Sequence, residues 1–332
     1  MAGQSGWFLV GGEEVLLLAD SRYRLQAARE APDARIEPAY HDLPARWAAL
    51  AGSIGARRIG VEAELLPHAV WLRLAAAAPE VELVPVGGWI EADRATKEPV
   101  EIERIAAACA VSDRALAALL PEIHAGATER ELALRLEWLI RTGGADGLSF
   151  DVACLSGPEA ALPHGSPGDR PVRDGAVLLF DFGAQADGYR SDMTRTLFVG
   201  EPSDRDLAVY ELVARAQAAS FAYLDAAVER GEPATGLAAD DAARDVIRAA
   251  GHDDRFGHGT GHGIGLATHE DPRLTFSAPD TPLPSPTVFS IEPGVYLDGE
   301  TGVRIEDLVL FDSSTRRLER LTQFPSQVLV VG

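Results

Sequence analysis

Asp181 stands inside the apolar run Val177-Leu178-Leu179-Phe180-Asp181-Phe182, and no other feature constrains the fold as much. A short, continuously apolar run reads as a buried strand. A buried strand does not accept an ionised carboxylate without a partner. The same conflict recurs downstream. Asp192 lies in Ser191-Asp192-Met193-Thr194-Arg195-Thr196, eleven residues after Asp181. Glu292 follows Val288-Phe289-Ser290-Ile291, and Glu306 sits in Val303-Arg304-Ile305-Glu306-Asp307-Leu308. The Asp187-Gly188 pair predicts a turn that brings Asp181 and Asp192 face to face across a hairpin. Taken singly, each acid is satisfied by an arginine or a backbone amide. Converging on one point, four carboxylates repel one another strongly unless cations stand between them.

An imidazole accompanies them: His262, in His258-Gly259-Thr260-Gly261-His262-Gly263-Ile264-Gly265. Two divalent ions per chain would balance the four carboxylates. Oxygen ligands with one imidazole suit Mn²⁺, Co²⁺, Zn²⁺ or Fe²⁺, with Mn²⁺ the first choice. A pair of such ions ~3.5–4 Å apart is a common hydrolytic device.

The pattern along the chain predicts two domains. Trp7 to Val10 and Val15 to Leu18, separated by Gly11-Gly12, predict a hairpin. Helical stretches at Arg46–Leu50 and His68–Ala78 alternate with strand-like Ile59–Val61 and Val81–Val86. That alternation marks a small α/β domain over residues 1–92, followed by a charged linker from Glu91 to Pro99. From Lys97 the pattern changes. Ile102, Ile105, Cys109, Leu116 and Leu119 recur at helical spacing, and Thr128 with Glu131 forms a capping-box signature. Further helices open at Ser203 and Thr235, and strands follow at 288–292, 303–311 and 327–331. Phe150–Leu155 also reads as a strand, and Pro158–Asp174 as a Pro/Gly loop. Residues 97–332 are the second domain.

The order Asp181, Asp192, His262, Glu292, Glu306, with these neighbours, resembles the pita-bread metallopeptidases of clan M24. Leu17-Leu18-Ala19-Asp20-Ser21-Arg22-Tyr23 is similar, more weakly, to the creatinase-type N-terminal domain. The resemblance implies an α+β protein: a pita-bread catalytic domain behind a smaller α/β creatinase-type domain. It implies that Asp181 chelates one metal, that Asp192 and Glu306 bridge both, and that His262 and Glu292 complete the other. His164, in Pro163-His164-Gly165, would line the pocket mouth and pass protons. His258 would line the pocket for the residue after the scissile bond, and His269 would hydrogen-bond the substrate near that bond. Arg304 falls on a position that orients ligands or substrate; its plainer reading is a buried counter-ion for Asp192 or Glu306. His41, His68, His124 and His252 have no such context and read as surface or structural residues. One departure stands before His269, where Ala267 and Thr268 replace an acid and a β-branched residue common in relatives.

The implied activity is cleavage of the bond before proline. Proline's amide lacks an N–H, so enzymes that grip an extended backbone lose a donor there, and a pocket flanked by histidines can accept the ring. Glu292 is the candidate to move the water proton to the leaving nitrogen. Arg273, in His269-Glu270-Asp271-Pro272-Arg273, either pins the carboxylate of a dipeptide or is a surface arginine. The first makes the protein a proline dipeptidase; the second favours an aminopeptidase P acting on longer peptides. Methionine aminopeptidases lack the N-terminal domain and have a longer stretch than the fourteen residues between Glu292 and Glu306. Creatinase-like enzymes, and relatives that use the fold as a metal-free binding module, lose ligands that this chain keeps. A homodimer is expected by analogy with members carrying a short N-terminal domain.

The charge agrees with a peptide substrate. With 51 acidic against 30 basic residues, a net −21 repels phosphate backbones and anionic lipid, so nucleic acid and membrane are poor partners. The 46% apolar content suffices for a sizeable core. Two cysteines, Cys109 and Cys154, read as buried small hydrophobes and suit a reducing compartment. No basic segment precedes the first apolar stretch and no apolar run approaches ~18 residues, so a cytoplasmic protein is expected.

Overall fold

The alternating apolar pattern at the amino end resolves into paired strands. In the computed structural model, which describes residues 6–12, 14–38 and 43–332, strands Gly6–Gly11 and Glu14–Ala19 pair antiparallel with Val10 opposite Val15, and Arg35–Glu37 lies parallel to the second. His41 lies outside the described residues. A separate pair, Arg58–Glu62 and Glu82–Val86, runs parallel. Parallel strands need a crossover, and the helix His68–Ala77 supplies it. Leu16, Leu18, Trp47, Leu50, Ile59 and Leu74 form the core of this unit, which ends at Ile90; a second unit begins at Glu91. The stretch expected as a charged linker carries a helix, Trp89–Ala95. Its Glu, Ala and Arg are good helix formers, and charge alone does not oppose a helix with a solvated face.

In the second unit three of the long helices start at a side-chain cap. Thr128 accepts from the Glu131 amide and opens Glu129–Thr142; Ser203 opens the 27-residue helix Asp204–Arg230; Thr235 opens Gly236–Ala249. A five-stranded antiparallel sheet runs in the order Glu270–Leu274, Gly261–Gly263, Thr287–Ile291, Asp307–Asp312, Arg317–Arg320. A four-stranded sheet contains Val330–Val331, Met193–Val199, Ala176–Phe182 and Ala153–Ser156, antiparallel except where Val330–Val331 joins it. The strand expected over 150–155 thus begins three residues later. Strand Ala176–Phe182 is buried on both faces. Leu178, Phe180 and Phe182 pack with Leu116, Leu132 and Leu136, whereas Val177 and Leu179 pack with Phe198, Val209 and Val213. Two apolar faces explain the unbroken apolar run around Asp181.

The stretch 303–311, expected as one strand, is two. Thr301–Arg304 pairs with Gly294–Leu297, and Asp307–Asp312 pairs with Thr287–Ile291. The chain changes sheets across Ile305 and Glu306, where the Glu306 amide donates to Thr194 O at 3.1 Å. Glu306 is therefore delivered at a seam between sheets. No helix among the described residues is long and apolar enough to cross a membrane.

Candidate metal centre

The hairpin forms with its turn at Asp187-Gly188. Ala186 faces Tyr189, and Asp187 and Gly188 have φ of 49° and 83°, the left-handed pair that a two-residue turn needs. In the ladder Asp181 is opposite Thr194 and Phe182 opposite Met193. Asp192 lies one residue past that last pair. The two aspartates are thus diagonal neighbours and not directly face to face as expected, because Thr194 takes the place opposite Asp181.

His262 sits at the centre of Gly261–Gly263. A Cβ on Gly261 would collide with the Ser290 backbone, so glycine there lets the histidine strand lie against Thr287–Ile291. The His262 amide donates to Ser290 Oγ at 3.0 Å, and that hydroxyl donates to Glu292 Oε1 at 2.9 Å. With Nδ1 against Gly263 O at 3.0 Å, Nε2 faces Glu292 Oε1 at 3.2 Å and Asp192 Oδ2 at 3.7 Å. Ligand atoms of Asp192, His262 and Glu306 all lie within 4.8 Å of one another. These three line one cavity of about 460 Å³ together with Asp181, Glu292, His164, His258, His269, Arg273 and Arg304. Phe150, Pro163 and Thr275 add to its wall. His68, His124 and His252 do not line it. Cys109 and Cys154 are both buried and free.

The electrostatics are those of a crowded acidic site. Burial, then repulsion from Glu306, Asp181 and Glu292, pushes Asp192 well above the carboxylate range. Burial, then Glu292 and Asp181, does the same to Glu306. Asp181 is raised by burial against the opposing pull of Arg304. At Glu292 burial is outweighed by the hydrogen bond and charge of His262, then His258 and Arg304, which hold it at about 2. Burial and the charge of His262 lower His269 to about 4. Among the described residues, two carboxylate oxygens that face this cavity, Asp181 Oδ1 and Glu306 Oε1, are buried without a hydrogen-bond partner. Unsatisfied buried acceptors with raised proton affinity are what a cation binding between them would relieve.

The guanidinium of Arg304 is committed on three sides: to Asp181 Oδ2 at 2.5 Å, to the Tyr296 hydroxyl at 2.8 Å and to Thr194 Oγ1 at 3.0 Å. Its ionic partner is Asp181, not the Asp192 or Glu306 expected. Tyr296 then offers its proton to His258 Nε2 at 2.8 Å, which leaves the His258 proton on Nδ1 against Gly259 O at 2.8 Å. Burial lowers His258 and keeps this tautomer neutral. Thr194 donates to Glu306 Oε2 at 2.8 Å. Thr194, Tyr296 and Ser290 escaped the sequence reading. Their one signal is proximity in sequence, each within four residues of a candidate ligand.

Two buried carboxylates brace the loops. Glu129 accepts from the amides of Ser156 and Gly168 and from Arg170, at 2.7–2.9 Å for the three shortest contacts, and holds the segment that carries His164. Asp240 accepts from Thr260 N and Oγ1 and pairs with Arg244, which donates to His258 O at 2.7 Å. His164, His269 and Arg273 are exposed within the cavity wall, and Arg273 faces His262 across the ladder.

Comparison with known proteins agrees with this geometry. Residues 103–313 match the model of metallopeptidase family M24, and residues 1–96 that of the creatinase/prolidase N-terminal domain. An Xaa-Pro dipeptidase of Pyrococcus horikoshii is 33% identical over 325 residues, 98% of this chain and 88% of the relative. The solved Xaa-Pro dipeptidase from Bacillus anthracis superposes with a TM-score of 0.91 at 33% identity, covering 100% of this chain and 90% of the other. The X-Pro aminopeptidase from Thermotoga maritima gives 0.90 at 35% identity, covering 99% and 89%.

Proposed function

The chain belongs to metallopeptidase family M24, and from that premise we propose that it is a proline dipeptidase, hydrolysing the bond between a first residue and a terminal proline. The observation that carries the reading is the meeting of four carboxylates and one imidazole in a single cavity, with Asp181 Oδ1 and Glu306 Oε1 buried and unpaired. Each such orphaned acceptor costs roughly 1–3 kcal/mol, and a cation removes that cost. The donor set fits two divalent ions, which Asp181, Asp192, His262, Glu292 and Glu306 would hold between them, with Mn²⁺ the first choice. When bound, such a pair polarises a carbonyl and makes a water nucleophilic near neutral pH.

The protein's own groups supply the rest. Glu292, held ionised, takes the water proton and passes it to the leaving nitrogen. His269, held neutral, donates a hydrogen bond beside the scissile carbonyl oxygen. The neutral His258 and Phe150 offer apolar surface to the proline ring, and His164 exchanges protons with solvent. Arg304 opposes the effect of burial on Asp181 and aims its carboxylate, and Arg273 receives the carboxylate of a dipeptide. Residues 97–332 are the catalytic domain and 1–92 the creatinase-like one; the division between Ile90 and Glu91 supports that partition. The proposal includes a cytoplasmic homodimer.

A second reading, Xaa-Pro aminopeptidase on longer peptides, is favoured by the likeness to the Thermotoga maritima enzyme and by the exposure of Arg273. The test is kcat/KM of the Mn²⁺-loaded protein on Ala-Pro against Ala-Pro-Ala. A higher value for the dipeptide is expected. A higher value for the tripeptide installs the second reading. Protein carrying two metals per chain but inactive on both refutes either.

A further inference from the structure

Glu270, the residue after His269, is buried and holds two cations. Its carboxylate accepts from Lys97 Nζ at 3.0 Å, from Arg94 Nη2, and from the Ala267 amide at 3.3 Å. The Lys97 side chain is fully buried; its ammonium also donates to Arg94 O at 2.5 Å, and its amide donates to Pro286 O at 2.8 Å. A buried cluster of this kind adds little stability over apolar groups of the same volume, so its value lies in what it fixes.

His269 is what it fixes. The His269 ring is exposed, and among the described residues no hydrogen bond holds it; its ring contact is with His262, centroids 4.3 Å apart. Its place is inherited from its backbone. That backbone belongs to residues 264–269, an excursion between two paired strands in which Gly263 faces Glu270 and His262 faces Arg273. Inside it, Gly265 N donates to Ala267 O at 3.1 Å, and Ala267 N donates to Glu270. A Cβ on Gly265 would strike Glu270 Oε1 and lie 3.3 Å from Lys97 Cε. Glycine at 265 is therefore required by the carboxylate beneath the loop.

We propose that Lys97 and Arg94, acting through Glu270, are positioning residues that hold His269 at the reaction centre. The inference rests on the reading of His269 as the donor beside the scissile carbonyl. Such a donor works only within about 2.7–3.1 Å of the developing oxyanion, and a ~1 Å misplacement costs up to ~10²-fold in rate.

The test uses Glu270→Gln and Lys97→Met, each alone and combined with His269→Ala, in the Mn²⁺-loaded enzyme. Alone, each is expected to lower kcat on Ala-Pro about 30- to 100-fold with KM nearly unchanged and metal content intact, while Lys97→Arg retains most activity. In the His269→Ala background neither is expected to cost more than about threefold further. Amide exchange over residues 264–269 is expected to quicken at least about tenfold in both variants, with residues 258–262 unchanged. Undiminished loss in the His269→Ala background, or unchanged exchange over 264–269, overturns the proposal. Exchange needs no substrate, so it decides the clamp even if the wild-type protein fails on dipeptides, a failure that would fall on the reading of function. Should Glu270→Gln not fold, Arg94→Gln, at a partly exposed residue, carries the same measurements.

Discussion

Replacing Arg273 by alanine separates dipeptide cleavage from aminopeptidase activity. The residue faces His262 across the ladder and lines the candidate metal cavity. Its nearest carboxylate is Asp271 at 4.0 Å, and its side chain is 46% exposed, so the guanidinium is available to a substrate. A fully buried arginine–carboxylate pair broken on one side costs 3–5 kcal/mol. Solvent reaches nearly half of this one, and screening brings the figure to about 1–2 kcal/mol. That corresponds to a loss of about 5- to 30-fold in kcat/KM for an Xaa-Pro dipeptide. A tripeptide carries its carboxylate one residue further out and escapes most of the loss.

A uniform effect accompanies the specific one. Burial, His262 and then Arg273 among the charged neighbours depress His269, and Arg273 also opposes protonation of His262. Removing the cation makes both imidazoles more basic whichever peptide is bound. The ratio of kcat/KM for Ala-Pro to that for Ala-Pro-Ala cancels this shared term and isolates the carboxylate contact. Arg273→Lys keeps the charge without the planar fork and should recover part of the ratio. Equal loss on both peptides, or none, would make Arg273 a loop residue and the aminopeptidase reading the better one.

Asp192→Ala or Glu306→Ala should abolish activity and lower metal content at both positions, read by elemental analysis of the loaded protein; full activity in Asp192→Ala ends the bridging assignment. The pH dependence of stability should run opposite to the usual acid trend in metal-free protein. Burial and neighbouring carboxylates raise Asp192 and Glu306; a raised acid favours folding fully below its unfolded pKa of about 4 and loses that contribution as pH climbs through the folded value. Glu292, held at about 2, acts with the opposite sign, but only below about pH 5. The melting temperature of metal-free protein should therefore fall relative to loaded protein between pH 5 and 8; a gap that does not widen refutes the account. Light scattering at micromolar concentration should report a dimer, and an active monomer would exclude the proposed assembly.

The four candidate carboxylate ligands were legible because each breaks a local rule. Asp181 interrupts an apolar strand, Asp192 stands between a turn signal and strand-like residues, Glu306 follows strand-like residues without a turn signal, and Glu292 ends a buried run. A period-2 or fully apolar pattern makes such intrusions visible. The sheet change at Ile305 was not legible, because Val303 to Phe311 is apolar enough to read as one strand, and the break exists only through pairing with two different partners. The residues that aim the ligands were equally silent. Thr194 and Tyr296 are ordinary strand residues, and nothing local marks either as a partner of Arg304.

Distance in sequence explains the rest. Arg304 meets Asp181 across 123 residues, and Lys97 meets Glu270 across 173. Lys97 sat at the edge of a segment read as a charged linker, and Glu270 beside a histidine already credited with a role. Each has a satisfactory local explanation, a solvated lysine and a loop acid, and only burial overturns both at once. A lysine whose side chain is fully enclosed requires a counter-charge, and the carboxylate that meets it is joined by one peptide bond to His269. The chemistry-bearing residues thus announce themselves by violating local patterns, whereas those that set their geometry conform locally and become visible only when the fold closes.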